Sequence, residues 1–147
     1  MLTVKILKAV PDTTYFPTCA TSGSAGMDLY AAINQPIDIP SQERRLVGSG
    51  IAIALPVGFE AQIRSRSGLA SNHGVVVLNA PGTIDSDYRG EIKVILANFG
   101  DKTFTIEPGM RIAQMVVARY EQVLWDLVSD LPDTERGASG IGSSGGF

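Results

Sequence analysis

Short apolar runs alternate with turn-forming residues along almost the whole chain, and their period is that of strands. Leu2-Thr3-Val4-Lys5-Ile6-Leu7-Lys8 alternates closely enough to predict an opening strand, which Pro11-Asp12-Thr13-Thr14 ends. Further runs cover 37–39, 45–47, 51–55 and 59–64, with Pro36, Pro40, Pro56 and Pro108 between runs. Proline has no N–H to give to a ladder, so its recurrence at such boundaries fits many short strands and an antiparallel barrel or sandwich. Only 67–74 breaks the pattern, where one short helix is predicted with Ser67 as its N-cap and Gly74 just past its end.

The most informative segment lies between two β-branched runs, 75–78 and 92–99. These predict a hairpin whose connection carries Asp85, Asp87 and Tyr88, with Pro81-Gly82 supplying a fixed and a permissive φ for a tight turn. A carboxylate braced on both sides by strands suits catalysis, because placement sets much of a rate. For an arbitrary hairpin, a solvated turn is the commoner explanation, so the surroundings must decide. Residues 110–120 and 122–128 are rich in Val, Met and Leu on both alternating faces, which predicts packing against other copies of the chain. From Ser129 the chain turns polar and glycine-rich. The expected organisation is one β domain over residues 1–128 followed by a mobile C-terminal arm over residues 129–147.

Composition narrows the chemistry. At 147 residues and 44% hydrophobic, the chain is large enough for a single core. It has no apolar run long enough to span a membrane and no leader-like pattern at 1–8, so a soluble, cytoplasmic protein is expected. A net charge of −3 disfavours bulk nucleic-acid binding. One cysteine, Cys19, and one histidine, His73, exclude an internal disulfide and a Cys/His zinc site within one chain. Carboxylates are left as acid–base groups, with arginines, hydroxyls and loop amides as anion binders. That inventory favours phosphate chemistry with a hard metal. Arg64-Ser65-Arg66-Ser67-Gly68 suits an oligophosphate, although a polar loop explains it equally well. Gly140-Ile141-Gly142-Ser143-Ser144-Gly145 matches G-x-G-x-x-G but lacks a strand before it and a helix after it, so it is not a dinucleotide-binding turn.

In order along the chain, five segments together resemble the trimeric dUTP diphosphatases (dUTPases). They are Ala25-Gly26-Met27-Asp28-Leu29, Arg66-Ser67-Gly68-Leu69-Ala70, Gly82 through Glu91, Gly109-Met110-Arg111-Ile112-Ala113-Gln114, and Arg136-Gly137 through Gly145. Each match is weak alone, whereas five in order are specific. The resemblance implies an all-β, jelly-roll-like antiparallel β-barrel, assembled as a homotrimer with sites shared between subunits. The implied activity is Mg²⁺-dependent hydrolysis of dUTP to dUMP and pyrophosphate, which keeps uracil out of DNA and supplies dUMP for thymidylate synthesis. It implies Asp85 as the base that activates water for attack on the α-phosphorus and Tyr88 as the residue that packs under the deoxyribose. Asn79 and the segment Thr83, Ile84 and Asp85 would read uracil, with Lys93 at a further substrate contact. Arg66, Ser67, Gly68 and Gln114 would hold the phosphates, Asp28 would bind Mg²⁺ through its water shell, and Arg136 would clamp the γ-phosphate. Asp87 is left as a turn residue. The family often has Phe in the fifth motif over the uracil, where this chain has Ile141; either Ile141 covers the base by apolar contact or the terminal Phe147 reaches back. Ser65 stands where proline is common, a change expected to be mild.

Two other readings differ in what they require. A dCTP deaminase on the same fold needs a glutamate base and donors matched to cytosine, and would release ammonia from dCTP. A barrel that only binds nucleotide, as a structural trimer or a regulator's partner, would leave the base, metal and clamp candidates surplus.

Overall fold

The computed structural model describes residues 2–11 and 15–141. In chain order its strands are β1 (Lys5–Lys8), β2 (Thr18–Cys19), β3 (Met27–Tyr30), β4 (Ile37–Ile39), β5 (Arg44–Gly48), β6 (Ile51–Ala54) and β7 (Phe59–Arg64). The helix α1 (Ser67–His73) follows, then β8 (Val75–Val77), β9 (Gly82–Ile84), β10 (Lys93–Asn98), β11 (Phe104–Ile106) and β12 (Arg111–Arg119). The fold is mostly β with one short helix, and the strands pair antiparallel in four sheets. β1 pairs with β6, β4 with β11, and β10 lies between β5 and β8. The largest sheet runs β2-β3-β12-β7-β9.

Partner choice follows burial. Leu29, Ile39, Ile51, Leu96, Ile106 and Ile112 are each no more than 1% exposed and form one shared core. Burying a side chain of this size contributes about 1.5–3 kcal/mol. Asn98, the one fully buried side-chain amide among the described residues, is satisfied on both ends. Its Nδ2 donates to the carbonyls of Ile39 and Lys102, each at 2.8 Å, and its Oδ1 accepts from Gly100 N at 2.9 Å. That network ties β10 to the loop before β11 at the cost of no orphaned polar atom.

Several expectations need correction. The opening strand is shorter than its pattern, since only Lys5–Lys8 finds a partner, β6. Ser67 is the first helical residue and Arg66 occupies the N-cap position with no side-chain cap bond. Gly74 does end the helix, in the left-handed conformation at φ 68°. β8 and β10 pair as the hairpin pattern requires, with Leu96 opposite Val77, but their connection is not a tight turn. It leaves the sheet to place β9 against β7. Gly82 accordingly opens a strand, where an added Cβ would lie 3.2 Å from Asn79 Nδ2 and 3.5 Å from Ile63 Cβ. Close approach to Asn79, not a positive φ, is what favours glycine there. The Ala80–Pro81 peptide is cis. Residues 122–128 form no strand, because the chain offers that segment no ladder partner, and Leu124, Trp125 and Leu127 stand almost fully exposed.

Candidate functional site

The site residues gather in two places, and the five-stranded sheet sets both. β12 is its middle strand, with Gln114 opposite Asp28 of β3 on one side and opposite Arg64 of β7 on the other. This register brings the end of β7 and the start of α1 beside Asp28. A cavity of about 380 Å³ results, lined by Gly26, Asp28, Arg66, Ser67, Arg111 and Gln114 among others. Gly68 also lines it.

Asp28 is the hub of that cavity. Its Oδ1 accepts from Arg66 Nε at 3.0 Å and its Oδ2 from Arg111 Nη1 at 3.2 Å. The carboxylate is mostly buried at 16% exposure and Arg66 is 25% exposed, so solvent screens the pair less than a surface contact. Two guanidinium groups facing one carboxylate leave a surplus of positive charge, which suits an anion. Gln114 Nε2 donates to Ser65 O at 2.9 Å. Its Oε1 presses so closely on Gly26 that a Cβ there would overlap it. The amide therefore ties β12 to the segment after β7 and packs against the loop before β3.

Among the described residues no cluster of three or more His, Cys, Asp or Glu could hold a metal wholly by protein ligands. Both oxygens of Asp28 already carry hydrogen bonds. This donor set fits a hydrated hard cation that takes its other ligands from phosphates, as Mg²⁺ commonly does, and not a caged ion.

The second place is the connection between β8 and β10. Tyr88 N donates to Asp85 O at 3.2 Å, closing a turn over Asp85-Ser86-Asp87-Tyr88. Arg89 Nη1 holds that turn from outside through the carbonyls of Ser86 (2.7 Å) and Tyr88 (2.8 Å). Asp87 is an exposed residue of the turn. Two small cavities meet here. One, of about 120 Å³, is lined by Asn79, Thr83, Ile84, Lys93 and neighbouring apolar residues. The other, of about 180 Å³, is lined by Thr83, Ile84, Asp85, Tyr88, Glu91 and Lys93. Thr83, Ile84 and Lys93 belong to both, so β9 and the start of β10 form their common wall.

No residue is common to these cavities and the one around Asp28. Within one chain, the sheet thus separates Asp85 and Tyr88 from Arg66, Ser67, Gly68 and Gln114. Arg136 and Ile141 line none of the three; Arg136 Nε donates to Ser139 O at 2.9 Å within the arm, and Ile141 is fully exposed. Phe147 lies outside the described residues. Three residues carried no role in the sequence reading and gain one here. Arg111 meets Asp28 only because of the β12–β3 register, which shifts between Arg111 and Ala113. Ser65 Oγ accepts from the buried Val77 N at 2.9 Å, a bond that the proline common at this position could not make. Glu91 contacts a turn far away in sequence, between β5 and β6. All three lie in or beside segments that the sequence singles out, but no local pattern announces these contacts.

Comparison with known proteins supplies the family. The dUTPase family model matches residues 12–145. A deoxyuridine 5'-triphosphate nucleotidohydrolase of Orientia tsutsugamushi (strain Boryong) is 66% identical over 129 residues, covering 88% of this chain and 87% of that protein. Its counterpart in Rickettsia felis is 59% identical over 142 residues, covering 97% and 96%. Among solved structures, a mutant dUTPase of Staphylococcus bacteriophage 80alpha with dUpNHpp superposes with a TM-score of 0.89 at 23% identity, over 99% of each chain. That likeness speaks to the fold, and the sequence matches speak to the lineage: the chain belongs to the dUTPase family.

Proposed function

We propose that the protein hydrolyses dUTP to dUMP and pyrophosphate, with Mg²⁺, in a homotrimer of jelly-roll-like barrels. The observation that carries this reading is the paired cavity of the β8–β10 connection. Asn79, Thr83, Ile84 and Lys93 line one half, and Asp85 and Tyr88 line the other, which supports reading them as base reader, carboxylate and sugar neighbour of one nucleotide site.

Asp85 accepts a proton from a water that attacks the α-phosphorus. A P–O bond to water forms, the P–O bond to pyrophosphate breaks, and dUMP keeps the new oxygen. An exposed carboxylate suffices, because the water is polarised by the surrounding charge and the base needs position more than strength. Tyr88 packs under the deoxyribose and leaves no room for a 2′-hydroxyl. Asn79 and the main chain at 83–85 face the uracil edge; a cytosine amino group against their donors would leave partners unmet at about 1–3 kcal/mol each. Arg66, Ser67, Gly68 and Gln114 hold the phosphates, and Arg136 clamps the γ-phosphate. Asp28 would hold Mg²⁺ through the ion's water shell, and the ion would supply charge neutralisation for the leaving pyrophosphate.

The separation of the two clusters within one chain supports a site completed by other copies. So do an apolar groove of about 400 Å³ lined by residues including Leu2, Ile6, Phe16, Met27 and Met115, and the side chains of Leu124 and Trp125, which are 97% and 92% exposed near the end of the body. Exposed apolar side chains of this kind favour burial against another copy of the chain. In this reading, residues 129–147 are the arm that brings Arg136 and Ile141 to the nucleotide, on a body of residues 1–128, and the protein works in the cytoplasm. Its product feeds thymidylate synthesis and its activity keeps uracil out of DNA. The test is a panel of deoxynucleoside triphosphates with and without EDTA: pyrophosphate from dUTP, abolished by EDTA, is expected. No pyrophosphate from dUTP at any enzyme concentration would favour a binding module, and ammonia from dCTP would favour a deaminase.

A further inference from the structure

We infer that Glu91 is a positioning residue for sugar selection: its side chain fixes the main chain that holds the Tyr88 phenol, and its charge aims Lys93. The inference rests on the proposed role of Tyr88 as the neighbour of the deoxyribose.

Three contacts converge on this residue. Glu91 Oε1 accepts from Gly50 N at 2.9 Å, in the turn between β5 and β6. Glu91 Oε2 stands 3.8 Å from Lys93 Nζ. The Glu91 main-chain carbonyl accepts from the Tyr88 hydroxyl at 3.0 Å. The next residue completes the anchorage. Ile92 is fully buried; its N donates to Ile51 O at 2.9 Å, and its O accepts from Ser49 N at 3.1 Å and Ser49 Oγ at 2.6 Å.

The carboxylate is seated against Gly48 so closely that a Cβ on that glycine would overlap Oε1. Only 20% of the Glu91 side chain is exposed, so the seat is built rather than incidental. Tyr88 in turn lies over Gly90, where a Cβ would overlap the phenol oxygen. Tyr88 is itself 44% exposed. Its ring therefore takes its position from the Gly90-Glu91 main chain, and that main chain is pinned by the bond to Gly50 N. Ile92 holds the far end of this stretch, so loss of the Gly50 bond frees only the Gly90-Glu91 side to shift, and a shift of about 1 Å is enough to spoil discrimination at a contact surface.

The experiment measures dissociation constants for a non-hydrolysable imido analogue of dUTP and for its ribose counterpart, on the wild type and three variants, with thermal unfolding alongside. Glu91→Ala removes the anchor and the charge. Glu91→Gln keeps an acceptor for Gly50 N and removes only the charge. Gly48→Ala leaves Glu91 in place and displaces its carboxylate by overlap. Loss of one anchoring bond should lower the deoxy-over-ribo preference about tenfold in Glu91→Ala and in Gly48→Ala. Glu91→Gln should keep the preference within about twofold while weakening both analogues alike, since Lys93 is no longer aimed. An unchanged preference in Glu91→Ala and Gly48→Ala overturns the inference, even if their stability falls, because a purely structural role would move stability alone. A preference lost as fully in Glu91→Gln as in Glu91→Ala also overturns it. Should Glu91→Ala fail to fold, Gly48→Ala carries the test. Wild-type turnover of dUTP is read separately, so failure of the proposed activity and failure of this inference give different results.

Discussion

The cluster around Asp28 and the connection that carries Asp85 solve the same problem, holding polar groups in place beside a cavity, by different means. Around Asp28 the side chains do the holding: two arginines share a carboxylate, and the Gln114 amide ties β12 to Ser65. Around Asp85 the polar atoms are held by main chain, through the turn that Tyr88 N closes and the carbonyls that take Arg89 and the Tyr88 hydroxyl. Side-chain ion pairs can re-partner with an incoming anion, whereas a main-chain scaffold keeps its shape whether or not a ligand is present. The comparison teaches that the Asp28 cluster is built to exchange charge partners and the Asp85 connection to present a fixed surface.

The largest effect is expected at the fixed surface. Asp85→Asn is nearly isosteric and cannot accept a proton, so kcat for dUTP should fall by about 10²–10⁴ while the imido analogue still binds. Near-wild-type turnover would reassign the base. Deleting the chain from Arg136 onward removes a phosphate clamp but leaves the body intact; kcat/KM should drop about 10- to 100-fold with the unfolding temperature unchanged. Full activity of the truncated protein would show that the arm takes no part.

At the exchanging cluster the effect should be smaller and should appear in binding. Asp28→Asn leaves Arg66 and Arg111 without their shared anion, and KM for dUTP should rise about tenfold, with the loss most visible at low Mg²⁺. If kcat falls instead and KM stays constant, the cluster is as rigid as the connection and the contrast fails. The smallest effect concerns the scaffold. Ser65→Ala strands the buried Val77 N–H, at about 1 kcal/mol, and calorimetry should find Tm lower by about 2–4 °C. No change in Tm would mean that the amide finds another partner.

Much of this was legible in the residues. Proline spacing and β-branched runs placed most strands to within a residue or two, and Gly74 marked the end of the only helix among the described residues. The connection at 79–91 was recognisable because its polar residues interrupt two strongly apolar strands. Its path was not: Pro81-Gly82 has the composition of a tight turn, yet Gly82 starts a strand in another sheet because β7 offers it a ladder. The segment 122–128 has strand composition and no strand, since a strand needs an edge to pair with and composition cannot provide one.

For this protein the sequence by itself determined the class of fold, the family and the chemical inventory, because periodicity, turn residues and ordered motifs are local properties of a chain. Only the tertiary structure decided that Arg111 joins Asp28, that Ser65 holds β8, that Glu91 reaches Gly50, and that the two clusters stand apart within one chain. Those contacts depend on sheet register, which couples residues dozens of positions apart and is settled by how the whole core packs.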